Sequence, residues 1–208
     1  MKFIEKIAAW QDTRFPWLLM SAASLLLVIV AHSIFQHYVY MAPCEQCVYI
    51  RFAFFCMFFG GIIAAINPKN VALKLIGYVL AFWGAIQGIM YCVKLAAIHA
   101  AVHSDDPFGV QGCSTEPHYP FGIPLEKWFP DWFLPTGDCG FDSPIVPDGV
   151  VLSSLQQYLV ELYSDGWYLI PSMKFGSMAD CCLLGFGLAF IILLAMAASW
   201  IVTKFKAN

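Results

Sequence analysis

Four stretches of this chain stay apolar for the length of a membrane crossing, and that constrains the fold more than anything else in it. A helix needs about 20 apolar residues to cross a hydrocarbon core of about 30 Å. The stretches run over Trp17–Phe35, Val48–Ile66, about Val71–Val93 and Cys181–Val202. The composition agrees: 60% of the 208 residues are hydrophobic and only 12% are charged, too few to cover a soluble globule of this size. With 11 Lys and Arg against 14 Asp and Glu, there is no basic footprint for nucleic acid. The same arithmetic excludes disorder, coiled coil and collagen. The expected fold class is an all-α integral membrane protein, a four-transmembrane-helix bundle forming one membrane domain over residues 1–208.

Ionisable residues within the spans are few. His32 lies near the far end of the first, Arg51 in the first turn of the second, and Lys74 at one end of the third, where it can snorkel. Gly84 and Gly88 give the third span a GxxxG spacing that permits close helix approach, though simple bundle packing explains it equally well. The first apolar run of 19 residues exceeds the ~7–15 of a signal-peptide core, so it reads as a retained helix.

Basic residues set the orientation. Lys2, Lys6 and Arg14 precede the first span, Lys69 and Lys74 flank the second turn, and Lys204 and Lys206 follow the fourth span. The short loop 36–47 has no Lys or Arg. The positive-inside rule then puts both termini and the Asn67–Asn70 turn in the cytoplasm, with loops 36–47 and 94–177 outside. The long loop carries most of the acidic residues, Asp105 and Asp106 among them, and nine prolines from Pro107 to Pro171. Such punctuation reads mainly as irregular chain. The exception is Val150–Tyr163, whose apolar residues recur at helical spacing and suit either the membrane interface or the rest of the loop. Trp128, Trp132 and Trp167 could anchor that loop at headgroup level.

Eight cysteines carry the chemistry. Cys44 and Cys47 form a CxxC just before the second span, and Cys113 and Cys139 lie in the long outer loop. In a bacterium that side is oxidising, so paired cysteines persist as disulfides. A purely stabilising bridge suits Cys113 and Cys139, which would close a loop of about 26 residues. It suits Cys44 and Cys47 poorly, because so short a loop has little entropy to remove. A CxxC at a helix start is instead a redox position, since the helix N-terminus stabilises a thiolate. A four-thiolate zinc site is the remaining alternative, against which stand the spacing of the second pair and the oxidising compartment.

Arg51, four residues after Cys47, falls on the same helix face. There it could lower a thiol pKa or hydrogen-bond the carbonyl of an electron acceptor; the alternative is a guanidinium reaching for the headgroups. Glu45 opposes it, as a carboxylate between the cysteines disfavours a thiolate. Two cysteine pairs on one face suggest a thiol–disulfide relay. The chain has no haem CxxCH, flavin fingerprint or iron–sulfur spacing, which leaves a lipid-soluble quinone as the economical acceptor. Cys56, Cys92, Cys181 and Cys182 read as small packing residues.

These features together resemble the disulfide bond formation protein B (DsbB) family of bacterial inner-membrane quinone reductases. The resemblance rests on the four spans, on Pro43-Cys44-Glu45-Gln46-Cys47 with Tyr49 and Arg51 after it, and on Pro124-Leu125-Glu126-Lys127-Trp128-Phe129-Pro130 leading to Gly137-Asp138-Cys139. It covers nearly the whole chain. The Glu and Gln inside the CxxC, and the extra chain after Cys139, are similar to the branch called DsbI. The resemblance implies that Cys44–Cys47 is the quinone-proximal pair, with Cys47 meeting the quinone (ubiquinone or menaquinone) and Arg51 beside its ring. It further implies that Cys113 receives the partner's thiolate and that Cys139 is its disulfide mate. A quinone-associated histidine fits His99, with His103 the other candidate and a solvated loop histidine the bland reading. The implied partner is a periplasmic thioredoxin-fold disulfide oxidase of the DsbA or DsbL kind. Two other classes remain: a disulfide-stapled four-span scaffold, and an enzyme like vitamin-K epoxide reductase, whose CxxC would be expected deep in a later helix.

Overall fold

In the computed structural model, which describes residues 2–103 and 113–207, every apolar stretch is helical. Asp105, Asp106 and Pro107 lie outside the described residues, as do the side chains of Lys2 and Lys206. Helix α1 covers Lys2–Gln11, and α2 (Phe15–Ile29) continues as a π-helix over Val30–Tyr38. Then come α3 (Glu45–Ile66), α4 (Val71–Val102), the short α5 (Leu125–Trp128) and α6 (Pro130–Phe133), and α7 (Ser154–Leu162). A small antiparallel hairpin, β1 (Tyr168–Ile170) with β2 (Phe175–Ser177), precedes α8 (Met178–Ala207). Four helical segments, Phe15–Tyr38, Glu45–Ile66, Val71–Val102 and Met178–Phe205, are long and apolar enough to cross a membrane. The protein is an all-α, multi-pass membrane protein.

Short polar residues start these helices. The Asn70 side-chain oxygen accepts from the N–H groups of Ala72 and Leu73 at 2.9 and 3.2 Å, capping α4. Ser177 and Asp180 cap α8 reciprocally, and Ser153 with Gln156 forms a capping box at α7. Helix α4 runs past Val93 to Val102 because Leu95 and Ile98 remain buried and keep the apolar stripe going. That extension places His99 on a helix, half-buried, and not in a solvated loop.

The chain divides into two compact units. The first comprises Met1–Leu27, Ala53–Ile89 and Leu184–Asn208. Its core is Trp17, Ala64, Ala65, Tyr78, Ala81, Leu193 and Met196. Gln11, at the end of α1, is fully buried and satisfied on three sides. Its carbonyl accepts from Trp17 Nε1 (2.9 Å), its side-chain oxygen from the Tyr78 hydroxyl (2.6 Å), and its amide donates to the Met196 carbonyl (3.1 Å). Lys74 does not snorkel: it is buried, ion-paired with Asp12, and 5.2 Å from the Trp200 ring centroid. A nearby carboxylate and an aromatic face replace the water its ammonium would otherwise seek. The GxxxG glycines do mark close approach. A Cβ at Gly84 would stand 2.7 Å from the Ala53 carbonyl, and one at Gly88 would meet the Phe186 ring at 2.4 Å.

The second unit comprises Val28–Phe52 and Met90–Leu183, and it holds both cysteine pairs. The proline-punctuated loop is more ordered than its composition suggests, since α5, α6, α7 and the hairpin all lie in it. Of the three tryptophans assigned to headgroup anchoring, only Trp128 is well exposed. Trp132 stacks on His32 and Trp167 packs edge-on to Phe35, so these two rings serve internal packing. Cys92 is fully buried, a packing role within this unit.

Candidate redox site

The site begins at the N-terminus of α3. The Cys44 carbonyl takes the first helical hydrogen bond, from Val48 N–H at 3.1 Å, so Cys44 is the N-cap residue and Cys47 lies in the first turn. The two sulfurs form a disulfide across a Cα–Cα distance of 5.0 Å. The Cys47 N–H donates to Cys44 Sγ at 3.2 Å. Once the bond is reduced, that N–H and the helix dipole favour a thiolate on Cys44. Every residue from Cys44 to Arg51 is buried.

Cys113 and Cys139 form the second disulfide, with Cα atoms 5.7 Å apart. The four sulfurs are thus joined in two pairs, one inside the CxxC and one between residues far apart in the chain. The two members differ in access: Cys139 is buried and Cys113 is half-buried. Both ends of this pair are tied to the CxxC. The N–H groups of Thr136 and Gly137 donate to the Pro43 carbonyl at 2.9 and 3.0 Å, immediately before Cys44. Only glycine fits at 137, because a Cβ there would stand 2.6 Å from the Ala42 carbonyl oxygen. On the other side, Ser114 N–H, next to Cys113, donates to Glu45 Oε2 at 3.0 Å.

Glu45 therefore does more than place a charge between two cysteines. Its other oxygen accepts from the Tyr49 hydroxyl at 3.1 Å, and that hydroxyl accepts from His118 N–H at 2.7 Å. Tyr49 in turn stacks near Tyr91, centroids 5.1 Å apart, and meets Tyr119 edge-on at 5.4 Å. Tyr119 is buried, donates to the Phe133 carbonyl at 2.6 Å, and burial pushes its phenol well above the usual range, keeping it protonated.

Arg51 is buried and does not reach for headgroups. Its Nη1 donates to Gln36 Oε1 at 2.7 Å and to the Trp132 carbonyl at 3.3 Å, so protein acceptors replace water. Gln36 passes the link on, donating to the Asp131 carbonyl at 2.9 Å. His99, at the end of α4, stacks on His103 with centroids 4.2 Å apart and meets Tyr168 edge-on at 5.9 Å. Its Nε2 is buried without a hydrogen-bond partner among the described residues, whereas His103 is exposed and bonded through Nδ1 to the His99 carbonyl at 2.8 Å. The same holds for both amide atoms of Gln46, which is fully buried. Gln36, Asp131 and Ser114 carry no motif of their own. Gln46 lies inside the CxxC, but the motif gives its side chain no role.

Thus the second unit contains a helix-capped disulfide, a second disulfide hydrogen-bonded onto it, and a buried guanidinium one turn further along α3. This defines a membrane-embedded disulfide oxidoreductase. The family described as disulfide bond formation protein DsbB matches residues 13–203, and the chain belongs to that family. A relative from Campylobacter fetus, provisionally named DsbI, is 65% identical over 204 residues, spanning 98% of this chain and 95% of its own. The protein-disulfide oxidoreductase DsbI of Salmonella typhimurium is 59% identical over 202 residues, 95% of this chain and 90% of its own. That of Escherichia coli O6:K15:H31 is 57% identical over 202 residues, with coverages of 95% and 91%. The protein is an enzyme, an oxidoreductase of disulfide chemistry.

Proposed function

We propose that the protein reoxidises a periplasmic thioredoxin-fold dithiol oxidase of the DsbA or DsbL kind and passes the two electrons to a membrane quinone, ubiquinone or menaquinone. On this reading it is a single membrane domain of the bacterial inner membrane with both termini cytoplasmic. A thiolate of the partner attacks Cys113 Sγ, the more accessible sulfur of its pair, and Cys139 leaves as thiolate. The partner's second thiol then closes its own disulfide and releases Cys113. Cys139 attacks Cys44, displacing Cys47, and Cys113 resolves that bond, so the Cys113–Cys139 disulfide is restored and the CxxC is left as a dithiol.

The bound quinone supplies a two-electron, two-proton acceptor. The chain's residues suit such a group: Arg51 is a buried donor, and Gln46 and His99 carry buried polar atoms without hydrogen-bond partners among the described residues, which a carbonyl-bearing ring would engage. Cys47 is the sulfur assigned to meet it, with Arg51 beside the ring and His99 as a further polar contact. The observation that carries the reading is the docking of the Cys139 segment on Pro43, because exchange between pairs requires them to be neighbours. The test is quinone reduction by the purified protein supplied with a reduced thioredoxin-fold dithiol. Wild type is expected to turn over and Cys44→Ser to be inactive; an unaffected Cys44→Ser rate would overturn the mechanism. A wild type that never reduces quinone would favour a stapled scaffold.

A further inference from the structure

The segment Val30–Tyr38 is a π-helix, closed by an i→i+5 bond from Val39 N–H to the Ile34 carbonyl at 2.9 Å. In an α-helix, residues five apart diverge; the wider π-turn brings them back to one side, and such turns recur at functional sites. Here the aligned pair is His32 and His37, whose rings lie 4.6 Å apart. Asp131, on α6, faces both. Its Oδ2 is 3.2 Å from His32 Nε2 and its Oδ1 is 3.1 Å from His37 Nε2. All three donor atoms fall within 4.8 Å of one another.

We propose that His32, His37 and Asp131 form a binding site for one divalent transition-metal ion of the Zn2+ type. Imidazole and carboxylate are the ligand chemistry such ions take, at metal–ligand distances of about 2.0–2.2 Å. A tetrahedron with those bonds has edges of about 3.3 Å, close to the two imidazole–carboxylate contacts, each to its own oxygen, while the widest donor separation, within 4.8 Å, closes by rotation of the exposed His37 or Asp131 side chain. The ligands are also held in place. The His32 ring stacks on Trp132 at 3.7 Å, and the Asp131 backbone accepts from Gln36. His32 is buried, whereas the side chains of His37 and Asp131 are 51% and 57% exposed, so an ion can enter and a fourth position stays open to water. Three ligands, with the Arg51 guanidinium nearby on Trp132, make the affinity weaker than that of a closed four-ligand structural site. Bound metal would fasten the π-helical end of the first span to α6, the element that carries Arg51's backbone acceptor.

The test is titration of the full-length, detergent-purified protein, disulfides intact, with Co2+ as spectroscopic probe and Zn2+ as competitor. One equivalent of Co2+ is expected to give visible ligand-field bands without a thiolate charge-transfer band, and Zn2+ to displace it. His37→Ala and Asp131→Asn should each weaken Co2+ binding at least tenfold and abolish a Zn2+-dependent rise in Tm. His37 is exposed, so that variant keeps its fold even if the Asp131 variant does not. Absence of binding, binding unchanged in His37→Ala, or a thiolate band pointing to the free cysteines would each overturn the proposal.

Discussion

Ser114 donates its backbone N–H to the carboxylate of Glu45 at 3.0 Å, so the neighbour of Cys113 is bonded to a residue lying between Cys44 and Cys47. One side chain thus holds one disulfide against the other. The Tyr49 hydroxyl occupies the remaining oxygen of that carboxylate. In Glu45→Gln one acceptor becomes a donor, which either opposes the Ser114 N–H or forces the Tyr49 hydroxyl to give up its own donation, a change costing about 1–3 kcal/mol. Electron transfer between the two pairs is expected to slow about tenfold, equivalent to about 1.4 kcal/mol. Rapid acid quench and alkylation would read it, and an unchanged rate would remove Glu45 from the relay.

Gly137 makes the second clamp. Gly137→Ala puts a methyl group 2.6 Å from a backbone oxygen that cannot move aside cheaply. The loop must lift off Pro43, at about 1–3 kcal/mol. Thermal unfolding should show the loss, and the Cys113–Cys139 pair should still react with a partner dithiol while passing electrons on more slowly.

Arg51 holds two acceptors through one nitrogen, Nη1, which the shorter lysine side chain does not carry to the same place. Arg51→Lys is expected to lower quinone reduction on the order of 10- to 100-fold, the loss of about 1.5–3 kcal/mol for hydrogen bonds to a charged group. Mixed-disulfide formation at Cys113 should be unaffected. Equal loss in both assays would mean that Arg51 supports the fold and not the acceptor site.

Trapping a mixed disulfide separates the roles of Cys113 and Cys139. A partner lacking its second cysteine should be captured on Cys113, the half-buried member, and not on Cys139. Peptide mapping of the acid-trapped adduct decides it, and capture on Cys139 alone would reverse the assigned order of attack.

In the first unit, Lys74 and Asp12 form a pair that is buried on the lysine side and half-exposed on the other. Lys74→Met and Asp12→Asn are each expected to cost about 1–2 kcal/mol, reduced from a fully buried pair by solvent screening. The double variant should lose less than the sum. Strict additivity in Tm shifts would show that the two do not interact.

Much of this was legible in the chain. Four apolar runs became four helices, because a run of that length has one stable answer where no water can satisfy the backbone. The CxxC ahead of the second run marked a helix-capped disulfide for the same local reason. The buried state of Lys74 is not encoded near it, since its partner Asp12 lies far away in sequence. Arg51's acceptors were invisible too: Gln36 sits on another helix and Trp132 offers only a backbone carbonyl. By sequence Glu45 is only a charge opposed to the thiolate; its bond to the Ser114 N–H depends on the fold.

The sequence by itself determined the membrane class and the four long helices, and it placed a CxxC ahead of the second, because apolar length and CxxC spacing act within single segments. Only the tertiary structure decided which groups face one another: Cys139's approach on Pro43, Ser114 on Glu45, and Asp131 between two histidines brought together by a π-turn. Those are hydrogen bonds and contacts between residues as far apart in the chain as His32 and Asp131, and no local periodicity encodes them.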